Sequence, residues 1–158
     1  MSDTPTGLKG RMQSDLTQAM RDRDELTAAT LRMVLTAVRS EEVAGTSARE
    51  LGDDEVVTVI GREVKKRREA ATAFADAGRQ DRAERENDEL GVLQKYLPAQ
   101  LSDDELAAIV TAAVAEAAAA GATGMAAMGR VMKAVQPQVA GQAEGGRVAA
   151  VVRAALAG

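Results

Sequence analysis

One phenylalanine, one tyrosine and no tryptophan leave this chain almost without aromatic side chains, and that shortage limits how its interior can be built. Phe74 and Tyr96 cannot fill a thick core between them. Leu, Val, Met and Ala must do it, and each buried Ala removes little apolar surface from water. Slender helical bundles suit that constraint better than one broad core. Ala, Leu, Met, Glu, Arg and Lys are strong helix formers, and only three prolines interrupt them. Apolar residues recur at spacings of three and four, not two. The expectation is an all-α protein, with an N-terminal domain of about four helices over 1–98 and a C-terminal three-helix bundle over 99–158.

Residues 1–7 read as a loose tail. Leu8, Met12, Leu16 and Ala19 form one stripe and predict a first helix over about 8–20. A polar turn at 22–24 precedes a second, 25–43, whose main face is Leu31, Val34, Leu35 and Val38. Leu26, Met33 and Ala37 lie alongside, so this helix is expected to touch two neighbours. The third begins at Asp53 and Asp54, acids suited to the positive end of a helix. Its core stripe is Val57, Ile60, Val64, Ala71 and Phe74, and Gly78 terminates it. The fourth, 81–97, is charged in its first half, carries Leu90, Leu93 and Leu97 in its second, and is stopped by Pro98.

Ser102-Asp103-Asp104-Glu105 reads as a capping box that opens a fifth helix lined by Leu106, Ile109, Val110 and Val114. Thr123 is the expected cap of a sixth, with Met125, Met128, Val131, Met132 and Val135 on its apolar side and Pro137 ending or redirecting it. A last helix from Glu144 or Arg147 carries Val148, Val151, Val152 and Leu156. At about sixty residues this terminal module lies near the lower size limit for independent folding.

The residue inventory removes most catalytic chemistry. There is no His and no Cys, so Ser-His and Cys-His arrangements and His/Cys zinc sites are excluded. Neither a G-x-x-x-x-G-K-[ST] loop nor a G-x-G-x-x-G fingerprint occurs. Asp53, Asp54 and Glu55 are conceivable metal ligands, but consecutive residues at a helix start point in different directions and have an ordinary capping use. No metal, cofactor or catalytic residue is therefore expected. No stretch is apolar enough to span a membrane, and the first ten residues lack the apolar core of a secretion signal, so a cytoplasmic location is expected. A net charge of −4 argues against indiscriminate nucleic-acid binding but leaves room for a local basic patch.

Two groups qualify as such a patch. The denser is Arg62 with Lys65, Lys66, Arg67 and Arg68, which either contacts phosphates or is a solvated face paired with nearby acids such as Glu63 and Glu69. The more informative is Met128-Gly129-Arg130-Val131-Met132-Lys133, followed by Gly141-Gln142-Ala143-Glu144-Gly145-Gly146-Arg147-Val148. Gly129 would let another helix approach closely, and Gly141, Gly145 and Gly146 would form a tight exposed turn. Arg130, Lys133 and Arg147 would make a discontinuous basic rim around it, beside helical N–H groups that favour a phosphate. The plain alternative is a helical hairpin whose glycines serve backbone geometry alone. The alternating charges of 79–89 support an exposed helix and say little of function. Phe74 beside them reads as core, because stacking surfaces usually offer more aromatics.

Thr30-Leu31-Arg32-Met33, Val64-Lys65-Lys66-Arg67-Arg68-Glu69, Ala77-Gly78-Arg79, and Tyr96-Leu97-Pro98 with Gln100-Leu101 precede the two C-terminal motifs just described. In this order and spacing they resemble the GatB/YqeY family, most closely its stand-alone YqeY-like proteins, over nearly the whole chain. The resemblance implies a helical N-terminal domain joined to a small helical C-terminal one. In larger members the related region is the tail of the B subunit of glutamine-dependent aspartyl/glutamyl-tRNA amidotransferase. That tail faces the transfer RNA, while glutamine hydrolysis and activation of the acylated end happen elsewhere. Gly129, Val131, Met132, Lys133, Gly141, Ala143 and Val148 match its motif. Larger members commonly place Asp in the turn where this chain has Glu144, which keeps the charge on a longer side chain and leaves a capping role open.

Only the tail-like part is recognisable here, and nothing in it is equipped to activate an amide or hydrolyse glutamine. Carbon–nitrogen ligase activity with glutamine as amido donor attaches, through the resemblance, to the larger members. The expected role is that of a non-catalytic accessory contacting tRNA or another RNA, with a protein partner in tRNA-dependent amidation. Phosphates would dock on Arg130, Lys133 and Arg147, with Lys65, Lys66, Arg67 and Arg68 as a second patch. The alternative is a helical protein–protein adaptor without RNA binding. A hydrolase built on carboxylates ranks below both.

Overall fold

A computed structural model describes residues 7–158, so all but the last residue of the expected tail lies outside the described part. The chain is all-α, with seven α-helices and one 3-10 turn among the described residues. It divides into two compact units, Met1–Leu97 and Pro98–Gly158. The first contains α1 (Gly7–Arg21), α2 (Glu25–Glu42), α3 (Asp53–Asp76) and α4 (Gln80–Gln94). The second contains α5 (Asp103–Ala119), the 3-10 turn Gly124–Ala127, α6 (Met128–Val139) and α7 (Gly145–Ala157). No single described helix is long and apolar enough to cross a membrane.

The first core is aliphatic, as the shortage of aromatics requires. Met12, Leu31, Val34, Val38, Val56, Ile60 and Leu93 are fully buried together, each large side chain contributing about 1.5–3 kcal/mol by leaving water. Tyr96 closes the unit. Its hydroxyl donates to Asp15 Oδ2 at 2.6 Å, tying the chain just beyond α4 to α1, and the Arg11 guanidinium lies 5.0 Å from the ring centroid. Burial, reinforced by the Asp15 carboxylate, raises the phenol's pKa above its ordinary value of 10. Asp24 caps α2 by accepting from the Thr27 N–H at 3.1 Å. Lys9 Nζ donates to both oxygens of Glu42 at 2.9 and 3.0 Å, and Glu42 also accepts from the Leu51 N–H at 3.1 Å, so one carboxylate joins α1, α2 and the loop before α3.

Two of the three acids at the start of α3 have structural partners. Asp53 Oδ1 accepts from the Leu8 N–H at 2.9 Å, and Glu55 reaches back to the Gly52 N–H at 3.0 Å and to Arg49. Among the described residues no group of three or more metal-ligating side chains is assembled.

The core stripe of α3 differs from the apolar pattern in the sequence. Val57 and Phe74 are only half-buried, while Val56, Val59, Ile60, Glu63, Val64, Arg67 and Ala71 are buried. Two charged residues therefore occupy the inward face. Arg67, with 7% of its side chain exposed, donates through Nη1 to Glu63 Oε2 at 2.8 Å, and its Nε lies 3.3 Å from Glu89 Oε2 on α4. Lys66 at 3.2 Å and Arg85 at 3.5 Å extend the network from the rim. Met33, expected beside the main face of α2, is 44% exposed.

In the second unit, Leu106, Val110, Val131, Val135, Val139, Val148 and Val152 form the core. The capping box forms: Ser102 Oγ accepts from the Glu105 N–H at 3.1 Å, and Glu105 accepts from the Ser102 N–H at 3.2 Å. Thr123 makes no side-chain cap, and α6 starts only at Met128. Gly124, at φ +61°, lies outside the right-handed helical region, so a 3-10 turn intervenes and turns Ala127 into the core. Pro137 does not end α6. It removes one hydrogen bond from the last turn, which is retained because Val139 is anchored in the core.

Candidate nucleic-acid interface

The C-terminal candidates separate into three places. Gly129, Arg130 and Lys133 lie in the first two turns of α6, opposite the buried stripe of Val131, Val135 and Val139. Arg130 and Lys133 are three residues apart, so they share the solvent side, and neither forms an ion pair among the described residues. A Cβ added at Gly129 would meet nothing within 4 Å. The expectation that this glycine admits a neighbouring helix is overturned.

The glycine-rich segment is not one exposed turn. Gly141 follows the end of α6 at φ +74°, a conformation that a Cβ disfavours. It is half-buried, and the segment around it is pinned to the stretch leading into α5. Gln100 Nε2 donates to the Gly141 carbonyl at 2.9 Å, the Leu101 N–H to the Gln142 carbonyl at 2.8 Å, and Gln142 Nε2 to the Ala99 carbonyl at 3.3 Å. Gly145 and Gly146 instead open α7, both exposed, with no crowding that demands glycine. Glu144 holds the N-cap position, but its side chain makes no capping hydrogen bond.

Arg147 is engaged. Its Nη2 donates to Asp103 Oδ1 at 2.8 Å, with 32% of the Arg147 side chain and 97% of the Asp103 side chain exposed. The pair ties the first turn of α7 to that of α5. An exposed pair of this kind is worth about 0–1 kcal/mol, so it is readily exchanged, yet Arg147 is not a free member of a rim with Arg130 and Lys133.

The second patch is largely dispersed. Arg67 is buried within the Glu63–Glu89 network and cannot serve as a surface phosphate contact. Lys66 is exposed but held to Glu63, and Arg62 is held to Glu41 at 2.8 Å. Lys65 and Arg68 are exposed on α3. The signal for Arg67 was present in the spacing: Ile60, Val64, Arg67 and Ala71 step by four, three and four, which is the inward stripe with a cation inside it.

A family model described as Yqey-like protein matches residues 9–156. The protein named Altered inheritance of mitochondria protein 41, mitochondrial, from Clavispora lusitaniae, is 30% identical over 101 residues, covering 63% of this chain and 58% of that protein. An uncharacterized protein of Schizosaccharomyces pombe is 30% identical over 97 residues, covering 61% of this chain and 76% of that one. The family match runs from the first turn of α1 to the last turn of α7, across both units, and the chain belongs to the YqeY-like protein family.

Proposed function

We propose that this protein is an accessory in tRNA-dependent amidation that contacts RNA through its C-terminal unit and carries no catalytic centre of its own. The observation that carries the reading is the pairing of Arg130 and Lys133 on one solvent face of α6 without carboxylate partners among the described residues. Phosphate is the ligand such a face suits, because exposed cations without carboxylate partners can displace the counterions condensed on a nucleic acid at little structural cost. Membership of the YqeY-like family and the likeness of the C-terminal motifs to the amidotransferase tail point to transfer RNA as the nucleic acid. Arg147 joins only by exchanging Asp103 for a phosphate, and Lys65 with Lys66 offers a weaker second contact. A cytoplasmic setting goes with this reading.

Titration with total transfer RNA at two salt concentrations tests it. Affinity should fall with added salt, and an Arg130→Ala, Lys133→Ala double variant should bind more weakly, with the salt slope reduced by about 2. Helicity measured by circular dichroism must be unchanged in the variant. Absence of binding at low salt, or equal binding and equal slopes for the two proteins, refutes the proposal.

A further inference from the structure

The Arg67 guanidinium is only half satisfied. Nη1 has oxygen acceptors, Glu63 Oε2 at 2.8 Å and the Glu63 carbonyl at 3.3 Å. Nε lies within ion-pair distance of Glu89, but its N–H is not aimed at the carboxylate and finds no hydrogen bond. Among the described residues, the hydrogen-bond partner of Nη2 is the sulfur of Met33, at 3.6 Å. A thioether is a weak acceptor. The Nε–Nη2 edge, well suited to gripping oxygen acceptors, thus lies beside Glu89 without a hydrogen bond at its Nε end and meets a sulfur atom at its Nη2 end. That sulfur belongs to a side chain 44% exposed, whereas Met12 in the same unit is fully buried.

We propose that Met33 is an oxidation site for peroxide-class oxidants, and that the resulting sulfoxide oxygen is received by Arg67. Sulfur attacks one oxygen of hydrogen peroxide: an S–O bond forms, the O–O bond breaks, and sulfur gives up two electrons. The departing hydroxide takes the proton from the transferred hydroxyl and leaves as water, and sulfoxide reductases reverse the change. The geometry needs no rearrangement. An S–O bond of about 1.5 Å and an N–H···O contact of about 2.8 Å, meeting at about 110°, place sulfur and nitrogen about 3.6 Å apart. The present Nη2–sulfur distance is 3.6 Å. Oxidation would replace a weak acceptor with a strong one without displacing Glu63.

Met20 provides the internal contrast. It is 47% exposed and its sulfur lies 3.1 Å from Arg32 Nη2, too close to insert an oxygen at that angle without a shift. Arg32 is also exposed and already hydrated, so a sulfoxide there offers it nothing that water does not.

The test treats the intact chain with hydrogen peroxide, maps sulfoxides by peptide mass spectrometry, and follows unfolding of the first unit by Tyr96 fluorescence. Met33 should be modified about as fast as exposed Met125 and well before Met12. Oxidation should raise the thermal midpoint of the wild type by about 2 °C or more relative to its effect on a Met33→Leu variant. Met33→Gln, whose amide oxygen imitates the sulfoxide without oxidant, should exceed Met33→Leu in midpoint when Arg67 is present and lose that advantage in an Arg67→Lys background. Should Arg67→Lys fail to fold, Met20→Gln against Met20→Leu at hydrated Arg32 serves as control and should show no such gain. A Met33 that resists oxidation while Met125 reacts, or a Met33 sulfoxide that lowers the midpoint, overturns the proposal.

Discussion

Replacing Arg67 by Met is the sharpest probe of how the first unit is held together. The side chains of Arg67, Glu63 and Glu89 are 7%, 12% and 10% exposed, so the substitution leaves two poorly hydrated carboxylates facing an apolar chain. Removing one partner of a buried pair typically costs about 3–5 kcal/mol. Lys66 and Arg85 still reach these carboxylates, but their side chains are 70% and 66% exposed, and each such contact offsets only about 0.2–1 kcal/mol. The expected loss is therefore about 2–4 kcal/mol. If all three groups are replaced together, as Glu63→Met, Arg67→Met and Glu89→Leu, the desolvation cost disappears with the attraction. Stability should then return to within about 1 kcal/mol of the wild type or exceed it.

The assay is urea denaturation followed by tyrosine fluorescence. Tyr96 is the only tyrosine and the chain has no tryptophan, so the signal reports the first unit alone while circular dichroism reports both. A single variant that loses less than about 1 kcal/mol, or a triple variant as unstable as the single one, would refute the assignment of Arg67 as the charge that makes two buried carboxylates tolerable.

Other expectations follow from the same contacts. Tyr96→Phe should cost about 1–2 kcal/mol near neutral pH by removing a donor to a carboxylate. The native phenol holds its proton above the ordinary value of 10, so its contribution is present below that value and is lost as pH rises past it, when the unfolded chain ionises first. Circular dichroism should show that alkaline loss in the wild type and not in the Phe variant. The hydrogen bond from Lys9 holds the Glu42 pKa below its ordinary 4.5, so its contribution is present above that value and fades as pH falls through the native one; Glu42→Gln should flatten the acid limb seen by Tyr96 fluorescence. Ser102→Ala should cost the second unit about 1 kcal/mol, visible by circular dichroism with Tyr96 emission unaffected. Gly145→Ala and Gly146→Ala should each raise the thermal midpoint of the second unit, by about 0.4–1 kcal/mol of stability, since neither site has positive φ or close neighbours.

Much of the fold was legible because local rules and packing agree. Leu31, Val34 and Val38 on α2, or Leu106 and Val110 on α5, are apolar residues at helical spacing with nothing opposing them. The helix start at Asp103 follows a side-chain cap visible in the sequence, Ser102, whereas Asp24, read only as part of a polar turn, proves to cap the helix that starts at Glu25. The misplacements came where a tertiary partner outweighed a local signal. Thr123 looks like a cap, but Gly124 adopts a left-handed conformation and the burial of Ala127 sets where α6 begins. Pro137 looks like a terminator, but Val139 holds the turn beyond it. Arg67 looks like surface in a run of cations, and only the distant Glu89 makes its burial tolerable. The same holds for Arg147, whose partner Asp103 lies forty-four residues away.

What distinguishes the start of α6 is a conjunction, not its glycine. Gly61 and Gly91 also lie in helices with nothing within 4 Å of an added Cβ, so an open glycine by itself marks no site. Each costs helix stability, by about 0.8–1 kcal/mol in a helix interior, whether or not anything binds nearby. Lys9, Arg49, Arg62 and Arg147 each pair with a carboxylate distant in the chain. Arg130 and Lys133 sit on a face without such partners, beside a residue with no side chain to shield an approaching backbone. Folding gains nothing from that arrangement, since neither cation packs or pairs, whereas a polyanion gains two contacts and an unobstructed approach. The proposed RNA contact therefore rests on these two side chains, and neither the buried Arg67 nor the glycine-rich turn adds to it.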